Sequence, residues 1–247
     1  MGRLGQVNII VNGDSFTEEG HFNTINKDNT EKTWAHNIGA VNLAKGGCSN
    51  ERIFYTTIDY LNSNDPDVLI IGWTDFSRYM IPHIDGFDVH ISANGVANEL
   101  GYGHKDNENA LEEYGDFYFR KMHNLFLNFK RFLTYYQHLE KYCSVKKIKF
   151  LNFMSITELP RGKSLHNISR MAPMSREDKD TEQQGIVFNA NKLEAQLNKF
   201  KEANWINNKV GFCYSDQVKH MPKWHDGHPG LEASKEWTKI IKDNLTT

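Results

Sequence analysis

Three side chains that together can carry out acyl transfer lie along the chain in the order serine, aspartate, histidine. Ser15 follows the apolar run VNIIVN, whereas Asp226 and His228 lie near the other end of the chain. A serine hydroxyl is a weak nucleophile until a base takes its proton, and a histidine base needs a carboxylate that orients its ring. The order predicts Ser15 as nucleophile, His228 as general base and Asp226 as its orienting acid.

Two other segments contain groups of the type that stabilise a developing negative charge. A Gly-Gly turn at residues 46–47 precedes one helical pattern, and Thr74 follows a third apolar run. Donors that converge on an oxyanion contribute about 3–4 kcal/mol each in a typical hydrolase. We therefore expect a backbone N–H of the glycine turn and a side-chain donor after the third run to meet beside Ser15.

Strand-like and helix-like patterns alternate between these groups. Short runs rich in Val, Ile and Phe predict strands at residues 7–12, 40–44, 68–72, 147–153 and 209–214. Apolar residues at helical spacing predict helices at residues 32–38, 50–62, 114–142, 189–203 and 231–245. The alternation favours a parallel sheet covered on both faces, which is a three-layer α/β/α sandwich. With strand order 2-1-3, Ser15, the glycine turn and Thr74 all follow carboxyl strand ends, where such sheets form their ligand crevice.

Two long stretches, residues 79–113 and 158–186, fit neither pattern. The first contains four glycines and scattered histidines, and the second is charged and rich in serine, with two prolines. Loops longer than about 12–15 residues are usually functional lids or mobile insertions, and surface decoration is the alternative. We therefore expect one domain over residues 1–247 with two insertions.

The composition excludes several classes of protein. The 247 residues carry 29 basic and 31 acidic side chains, for a net charge of -2, whereas nucleic-acid binders are normally basic. The basic and aromatic residues in 117–150 fit an amphipathic core helix better than a nucleic-acid surface. No apolar run approaches the ~20 residues that span a bilayer, so we expect a soluble chain without a membrane span.

Metal, disulfide and targeting patterns are also missing from the sequence. His220, His225 and His228 lie near Asp226 without a standard zinc spacing, so we expect no metal. The three cysteines form no disulfide framework, and we expect Cys48 to be a buried thiol and not a nucleophile.

The N-terminus shows no secretory signal, which favours a cytoplasmic location. The many asparagines and the insertions are compatible with a viral protein, which would be associated with the virion. The histidines of the first insertion are expected to face solvent or substrate: His83, His90 and His104.

Four short blocks, in order and at the predicted strand ends, resemble those of the SGNH (GDSL-type) hydrolase superfamily. GDSF at residues 13–16 matches the first block, NLAKGGCSN at 42–50 the second, GWTD at 72–75 the third and HDGHPG at 225–230 the last. The resemblance extends over nearly the whole chain apart from the two insertions. It implies a flavodoxin-like, five-stranded parallel sheet of order 2-1-3-4-5 and ester hydrolysis without metal or cofactor.

The resemblance also implies a role for each matching residue. Ser15 is the nucleophile and first oxyanion donor, and Gly47 is the second donor, with Gly46 the less favoured choice. His228 is the base and Asp226 its orienting acid. The sequence departs from the family pattern twice, because Thr74 stands where an asparagine donor is expected and Asp226 precedes His228 by two residues instead of three. Two further residues bear on these departures: Asn50, an alternative amide donor, and His225, which occupies the usual aspartate position.

These expectations combine into one functional hypothesis and two alternatives. The hypothesis is a serine esterase that removes small acyl groups such as acetyl, on a carbohydrate, because the chain lacks an apolar lid for long lipids. The first alternative is an inactive binding or assembly protein with the same fold, which the missing asparagine motivates. The second is an acyltransferase that uses the same triad. The sequence leaves the oligomeric state open.

Overall fold

The computed structural model describes residues 7–18, 33–82, 88–92, 95–98, 113, 117–118, 122–170, 182–223 and 228–246. Within these residues lie seven strands: β1 (Ile9–Asn12), β2 (Val41–Asn42), β3 (Val68–Trp73), β4 (Tyr79–Pro82), β5 (Asp88–Ser92), β6 (Gly95–Asn98) and β7 (Lys149–Met154). The helices are α1 (Trp34–Asn37), α2 (Asn50–Leu61), α3 (Leu125–Lys146), α4 (Lys163–Ser169), α5 (Glu182–Leu197), α6 (Tyr214–Gln217) and α7 (Leu231–Thr246). Two 3-10 turns, Glu202–Asn204 and Ile206–Asn208, lie between α5 and α6.

Four of the strands form a parallel sheet of order β2-β1-β3-β7. The register places Ile10 opposite Val41 and Leu69, and β3 pairs with β7 over its whole length. The predicted α/β class, with a parallel sheet flanked by helices, is confirmed, and so is the 2-1-3 order of the first three strands. The sheet therefore brings the carboxyl ends of β1, β2 and β3 to one edge.

The predicted fifth strand at residues 209–214 is wrong in its extent. A turn at 209–212 interrupts the run, with Phe212 N–H donating to Lys209 O and Gly211 at φ +80°. What remains is a parallel bridge between Cys213 and Met154 at the outer edge of β7. A positive φ is incompatible with extended strand geometry, so the glycine ends the strand that the apolar residues predicted.

Two apolar cores cover the two faces of the sheet. Ile9 and Val11 face a cluster that includes Trp34 of α1 and Trp237 of α7. Ile10 faces the opposite cluster, to which α2, α3 and α5 contribute. Successive strand residues point to opposite faces, so the continuous apolar runs of β1 and β3 are those of strands buried on both sides. The expected three layers are present.

The long amphipathic helix begins later than the predicted residue 114. Asn124 accepts a hydrogen bond from Leu127 N–H at its N-terminus, and Lys147 at φ +59° ends it. The helix predicted at 189–203 instead spans Glu182–Leu197. No helix of the described residues has the length and apolar character that a bilayer span requires.

The stretches at 79–113 and 158–186 contain regular structure that the sequence pattern did not predict. Strands β4, β5 and β6 form an antiparallel sheet in the first, and Ser92 of β5 pairs with Gly95 of β6. The alternation of polar and apolar residues in DVHIS was the available signal. Helix α4 and the first residues of α5 lie in the second stretch. The expectation of a single domain stays a prediction.

Candidate active site

The end of β1 is anchored before the chain reaches Ser15. The side-chain amide of buried Asn12 donates to Ile53 O at 3.0 Å and to Thr57 Oγ1 at 2.9 Å, which joins β1 to α2. A Cβ atom on Gly13 would lie 2.7 Å from Thr17 Oγ1, so only glycine fits the sharp exit from the strand. The next residues form a turn that leaves Ser15 partly exposed at the carboxyl edge of the sheet.

Ser15 and His228 lie in hydrogen-bond contact although 213 residues separate them in the chain. The distance from His228 Nε2 to Ser15 Oγ is 2.8 Å. The Phe16 ring packs against the imidazole, with ring centroids 5.4 Å apart. An antiparallel bridge between Lys223 and Pro229 holds the chain beside His228. In the tautomer with an unprotonated Nε2, the histidine accepts the serine proton, which is the first requirement for a nucleophile and its base.

Asp226 and His225 lie outside the described residues. The assignment of Asp226 as the acid that orients His228 therefore stays a prediction. Of the other histidines considered from the sequence, His83 and His104 also lie outside the described part, and His220 is exposed. The described residues contain no group of three or more His, Cys, Asp or Glu side chains that are placed to hold a metal ion.

The carboxylate of Asp14, next to the nucleophile, is fully buried and surrounded by donors. Thr74 Oγ1 donates to Asp14 Oδ2 at 2.7 Å, and Phe16 N–H donates to Oδ1 at 3.1 Å. Arg78 Nη1 lies 3.5 Å from the same Oδ2. A buried carboxylate needs such partners because removal from water is costly for the charged form.

This network bears directly on the oxyanion role expected for Thr74. A threonine hydroxyl has one hydrogen, and here Thr74 gives it to Asp14. Asn50 braces the Thr74 backbone in both directions, accepting from its N–H at 2.8 Å and donating to its carbonyl at 3.1 Å. In this arrangement the Thr74 hydroxyl is not available as a donor to an oxyanion, because the buried carboxylate accepts its one hydrogen bond.

The glycine turn lies beside Ser15, as its position after β2 predicted. Gly47 has φ +75°, a conformation that glycine adopts without steric cost. The N–H of Gly46 donates to Glu18 Oε2 at 2.7 Å, so the less favoured donor is engaged within the protein. The donor roles of the Ser15 and Gly47 N–H groups stay predictions.

Cys48 is completely buried beside this turn. Its thiol donates to Gly13 O with an Sγ–O distance of 3.3 Å. Burial, followed by the nearby charge of Asp14, raises the pKa of Cys48 to about 12. A thiol that stays protonated at neutral pH is a poor nucleophile, which agrees with the expectation of a structural cysteine.

A small cavity adjoins Ser15 and His228. Its volume is about 20 Å³, enough for about one water molecule, and its walls include the rings of Phe16, Trp34 and Tyr214. Besides Ser15 and His228, its polar lining residues are Glu18, Thr33 and Ser234. Only a small group has room between Ser15 and these rings.

A larger cleft of about 700 Å³ lies beyond the carboxyl ends of β3 and β7. Asp75, Thr157 and His123 contribute polar atoms to it. Burial raises the pKa of Asp75, but hydrogen bonds from Ser77 and Thr157 outweigh this and leave the pKa below its usual value. Burial also lowers the pKa of His123. The cleft therefore contains a charged carboxylate and a neutral imidazole at neutral pH, on the same sheet edge as Ser15.

Three residues of this region were not predicted from the sequence. Glu18 lies one helical turn after Ser15, and that spacing was the available signal. Arg78 follows the third block closely and Tyr214 ends the predicted fifth strand, but nothing in their spacing connects them with Ser15. Their roles follow from packing between segments distant in sequence.

Comparisons with known proteins give only weak likenesses. No protein-family model matches the chain, and no curated protein matches it. Among solved structures, a GDSL-like lipase from Bacteroides thetaiotaomicron VPI-5482 is 13% identical, with 98% of this chain and 88% of that chain covered and a TM-score of 0.43. A putative acylhydrolase from Bacteroides fragilis NCTC 9343 is 14% identical, with coverage of 99% and 88% and a TM-score of 0.46. An acetyl xylan esterase is 12% identical, with coverage of 96% and 98% and a TM-score of 0.40.

The names of these proteins agree with the class that the four sequence blocks resemble. The identities and TM-scores are too low to carry an argument about what this chain does. The functional proposal therefore depends on the side-chain geometry around Ser15.

Proposed function

We propose that the protein is a serine esterase in which Ser15 attacks the ester carbonyl. The observation that carries the proposal is the 2.8 Å contact between Ser15 Oγ and His228 Nε2 at the carboxyl edge of a parallel sheet. Two residues so far apart in the chain, each of a type needed for acyl transfer, meet where α/β sheets bind their ligands. The four sequence blocks add support, because these two residues come from the first and last of them.

The proposed reaction has two stages. His228 takes the Ser15 proton as Oγ bonds to the carbonyl carbon, and the tetrahedral oxyanion accepts hydrogen bonds from the N–H groups of Ser15 and Gly47. The protonated His228 then gives its proton to the departing alcohol, which leaves an acyl-enzyme. Water, deprotonated by His228, releases the acid and restores Ser15. Asp226 orients the imidazole and stabilises its positive charge in both stages.

Small acyl groups on a polar alcohol are the proposed substrate class. The cavity of about 20 Å³ beside Ser15 has room for about one water-sized group, which suits the methyl of an acetyl ester and no longer acyl chain. The cleft of about 700 Å³ at the same sheet edge has a mixed polar and apolar lining that suits a carbohydrate as the alcohol part.

The test compares the wild type with Ser15→Ala on a short-chain aryl ester and on an acetylated sugar. We expect kcat to fall by about 10³-fold or more, because the covalent route is lost. Labelling by a fluorophosphonate should also disappear, whereas Ser63→Ala at an exposed position should change neither result. Equal turnover by wild type and Ser15→Ala rules out the esterase. Product analysis with a sugar acceptor present separates hydrolysis from acyl transfer.

One observation favours a second candidate, an inactive binding or assembly protein with the same fold. The Thr74 hydroxyl donates its hydrogen bond to Asp14, and the Gly46 N–H donates to Glu18, so two donors near Ser15 already have partners within the protein. If a missing side-chain donor limits turnover, Thr74→Asn should raise kcat at least about tenfold. No increase counts against this explanation of low activity.

A further inference from the structure

Glu18 links the turn that carries Ser15 to the neighbouring glycine turn. Its own N–H donates to Asp14 O at 3.0 Å, so Glu18 belongs to the same turn as the nucleophile. Its carboxylate reaches across to the other turn, where Oε2 accepts the Gly46 N–H at 2.7 Å and Oε1 lies 3.5 Å from Lys45 Nζ. The side chain is only 16% exposed. The contact is therefore a charge-assisted hydrogen bond largely shielded from water.

The rest of the glycine turn is attached to the nucleophile's turn at two points. Lys45 N–H donates to Gly13 O at 3.1 Å, and the Cys48 thiol donates to the same carbonyl at 3.3 Å. Between these two attachments lie two glycines, which have the greatest backbone freedom of all residues. The Cys48 N–H closes this interval on Lys45 O at 3.4 Å, and the Glu18 carboxylate supplies the contact from outside the turn, at the residue immediately before Gly47.

The close approach of the two turns makes Gly46 the point where Glu18 and Ser15 meet. A Cβ atom on Gly46 would lie 2.5 Å from Glu18 Oε2 and 3.5 Å from Ser15 Cβ. The carboxylate and the nucleophile therefore flank the same glycine. A change in the position of this glycine alters the distance between Ser15 and the N–H of the next residue.

We propose that Glu18 is a positioning residue that holds the Gly46–Gly47 turn, so that the Gly47 N–H is aimed at the oxyanion formed on Ser15. This inference rests on the proposed esterase function. Stabilisation of an oxyanion depends on donors that are already in place before the reaction, and a glycine pair without a fixed contact would have to be ordered at that moment. Glu18 orders it in the resting protein. The proton and the bonds of the reaction stay with Ser15, His228 and the substrate.

The opposite role for Glu18 predicts an opposite result. A carboxylate that occupied the donor needed by the substrate would inhibit the enzyme, and its removal would raise the rate. A positioning carboxylate supports the rate, and its removal lowers it. The sign of the change in kcat on Glu18→Ala decides between the two.

The experiment measures kcat and KM for Glu18→Ala, Glu18→Gln and Gly46→Ala on a short-chain aryl ester. We expect kcat to fall about tenfold in Glu18→Ala with little change in KM, because ground-state binding does not need an aligned oxyanion donor. Glu18→Gln keeps an oxygen acceptor and should recover kcat to within about threefold of wild type. Gly46→Ala displaces the carboxylate and should behave like Glu18→Ala, and the double variant should fall no further.

A second readout does not depend on activity. Amide hydrogen exchange at Gly46 should be faster in Glu18→Ala than in wild type and close to wild type in Glu18→Gln. The matched control Glu202→Ala, at an exposed glutamate, should leave exchange and kcat unchanged. Equal melting temperatures exclude general unfolding as the cause.

The outcomes separate this inference from the function on which it rests. Wild-type activity that is lost in Ser15→Ala, together with unchanged or increased kcat in Glu18→Ala, retains the esterase and overturns the role of Glu18. Wild-type protein without esterase activity overturns the proposed function and the catalytic part of the inference with it. In that case unchanged exchange at Gly46 also rejects Glu18 as the residue that holds the turn, and faster exchange supports that structural part alone.

Discussion

Asp14 and Ser15 are adjacent in the chain but belong to two differently built sides of the site. On the inner side, the Asp14 carboxylate is fully buried and contacts Thr74, Phe16 and Arg78. On the outer side, Ser15 is partly exposed and its hydroxyl contacts His228 beside a small cavity. One peptide bond therefore separates a buried, hydrogen-bonded carboxylate from a hydroxyl that a ligand can reach.

The difference shows how one short sequence block supplies both support and chemistry. The polar groups on the inner side already form hydrogen bonds with one another. A substitution there should therefore act mainly on the free energy of unfolding. The contact on the outer side joins two groups that can exchange a proton, so a change there should act mainly on turnover. The third-block residue Thr74 lies on the inner side, which the motif pattern did not predict.

The largest expected effect is on the outer side. His228→Gln removes the base, and we expect kcat to fall by about 10³-fold, since general-base catalysis contributes on the order of 10²–10⁴. The melting temperature should stay close to that of wild type. His220→Gln, at an exposed position in the same region of the chain, is the matched control and should keep full activity. If both variants turn over ester equally well, His228 is not the base.

A change at Asp14 should instead break the inner side. Asp14→Asn removes the charge that faces Arg78, whose side chain is 15% exposed, and we expect a loss of about 3 kcal/mol in the free energy of unfolding. Urea unfolding measures it. Asp65→Asn, whose carboxylate is 79% exposed and pairs with Lys146, should leave the urea midpoint unchanged. Similar midpoints for the two variants would contradict the distinction between the sides.

Thr74 provides a sharper test because the two sides predict different readouts. Thr74→Val keeps the shape but removes the hydroxyl donor to Asp14, and we expect a loss of about 1–2 kcal/mol in unfolding free energy. We expect kcat to change less than about threefold, whereas loss of a working oxyanion donor costs about 10²–10³. Thr134→Val, on the exposed face of α3, controls for the substitution itself. A drop in kcat of about 10²-fold would instead identify Thr74 as a donor to the oxyanion.

The smallest expected effect on turnover belongs to Cys48. We expect Cys48→Ala to keep kcat within about twofold, because a buried thiol that stays protonated takes no part in acyl transfer. Its pKa is raised from 9.0 to about 12 in the folded protein. The folded state thus holds the neutral thiol, and its contribution to stability is complete below pH 9 and lost as the pH rises towards 12.

Urea midpoints between pH 7 and pH 11 measure this dependence. The decline should be shallower in Cys48→Ala than in wild type. Cys143→Ala is a useful comparison, because burial alone raises the pKa of Cys143 to about 12. A pH dependence identical in all three proteins would exclude the cysteines as its source.

The strongly patterned parts of the fold were predictable from the sequence. The first three residues of β1 and all of β3 are apolar or glycine, and α2 and α7 begin at their predicted starts. The segment around Gly211 was not predictable from apolar residues alone, because a single positive φ ends a strand. The strands β4 to β6 are short, and their alternation is too brief to stand out from a polar, glycine-containing stretch.

The candidate site divides in the same way. The residue types and the order of Ser15 and His228 pointed to acyl transfer, since few side chains supply a nucleophile and a base. Spacing in the chain does not indicate which group accepts a given hydrogen bond. The hydrogen bonds from Thr74 to Asp14 and from Gly46 to Glu18 were therefore not predictable. Which partner a group takes depends on differences of a few tenths of an ångström in the distances between separate segments.

The sequence by itself determined the alternation of elements, the two-sided burial of the central strands and the placement of reactive groups after strand ends. These depend on local propensity and on the period of apolar residues, which each segment carries within itself. Only the tertiary structure decided that Ser15 meets His228, that Asp14 turns inward to Thr74 and Arg78, and that Glu18 holds the glycine turn. Such contacts arise when packed layers bring distant segments together, and buried polar groups then take whichever partners lie within reach.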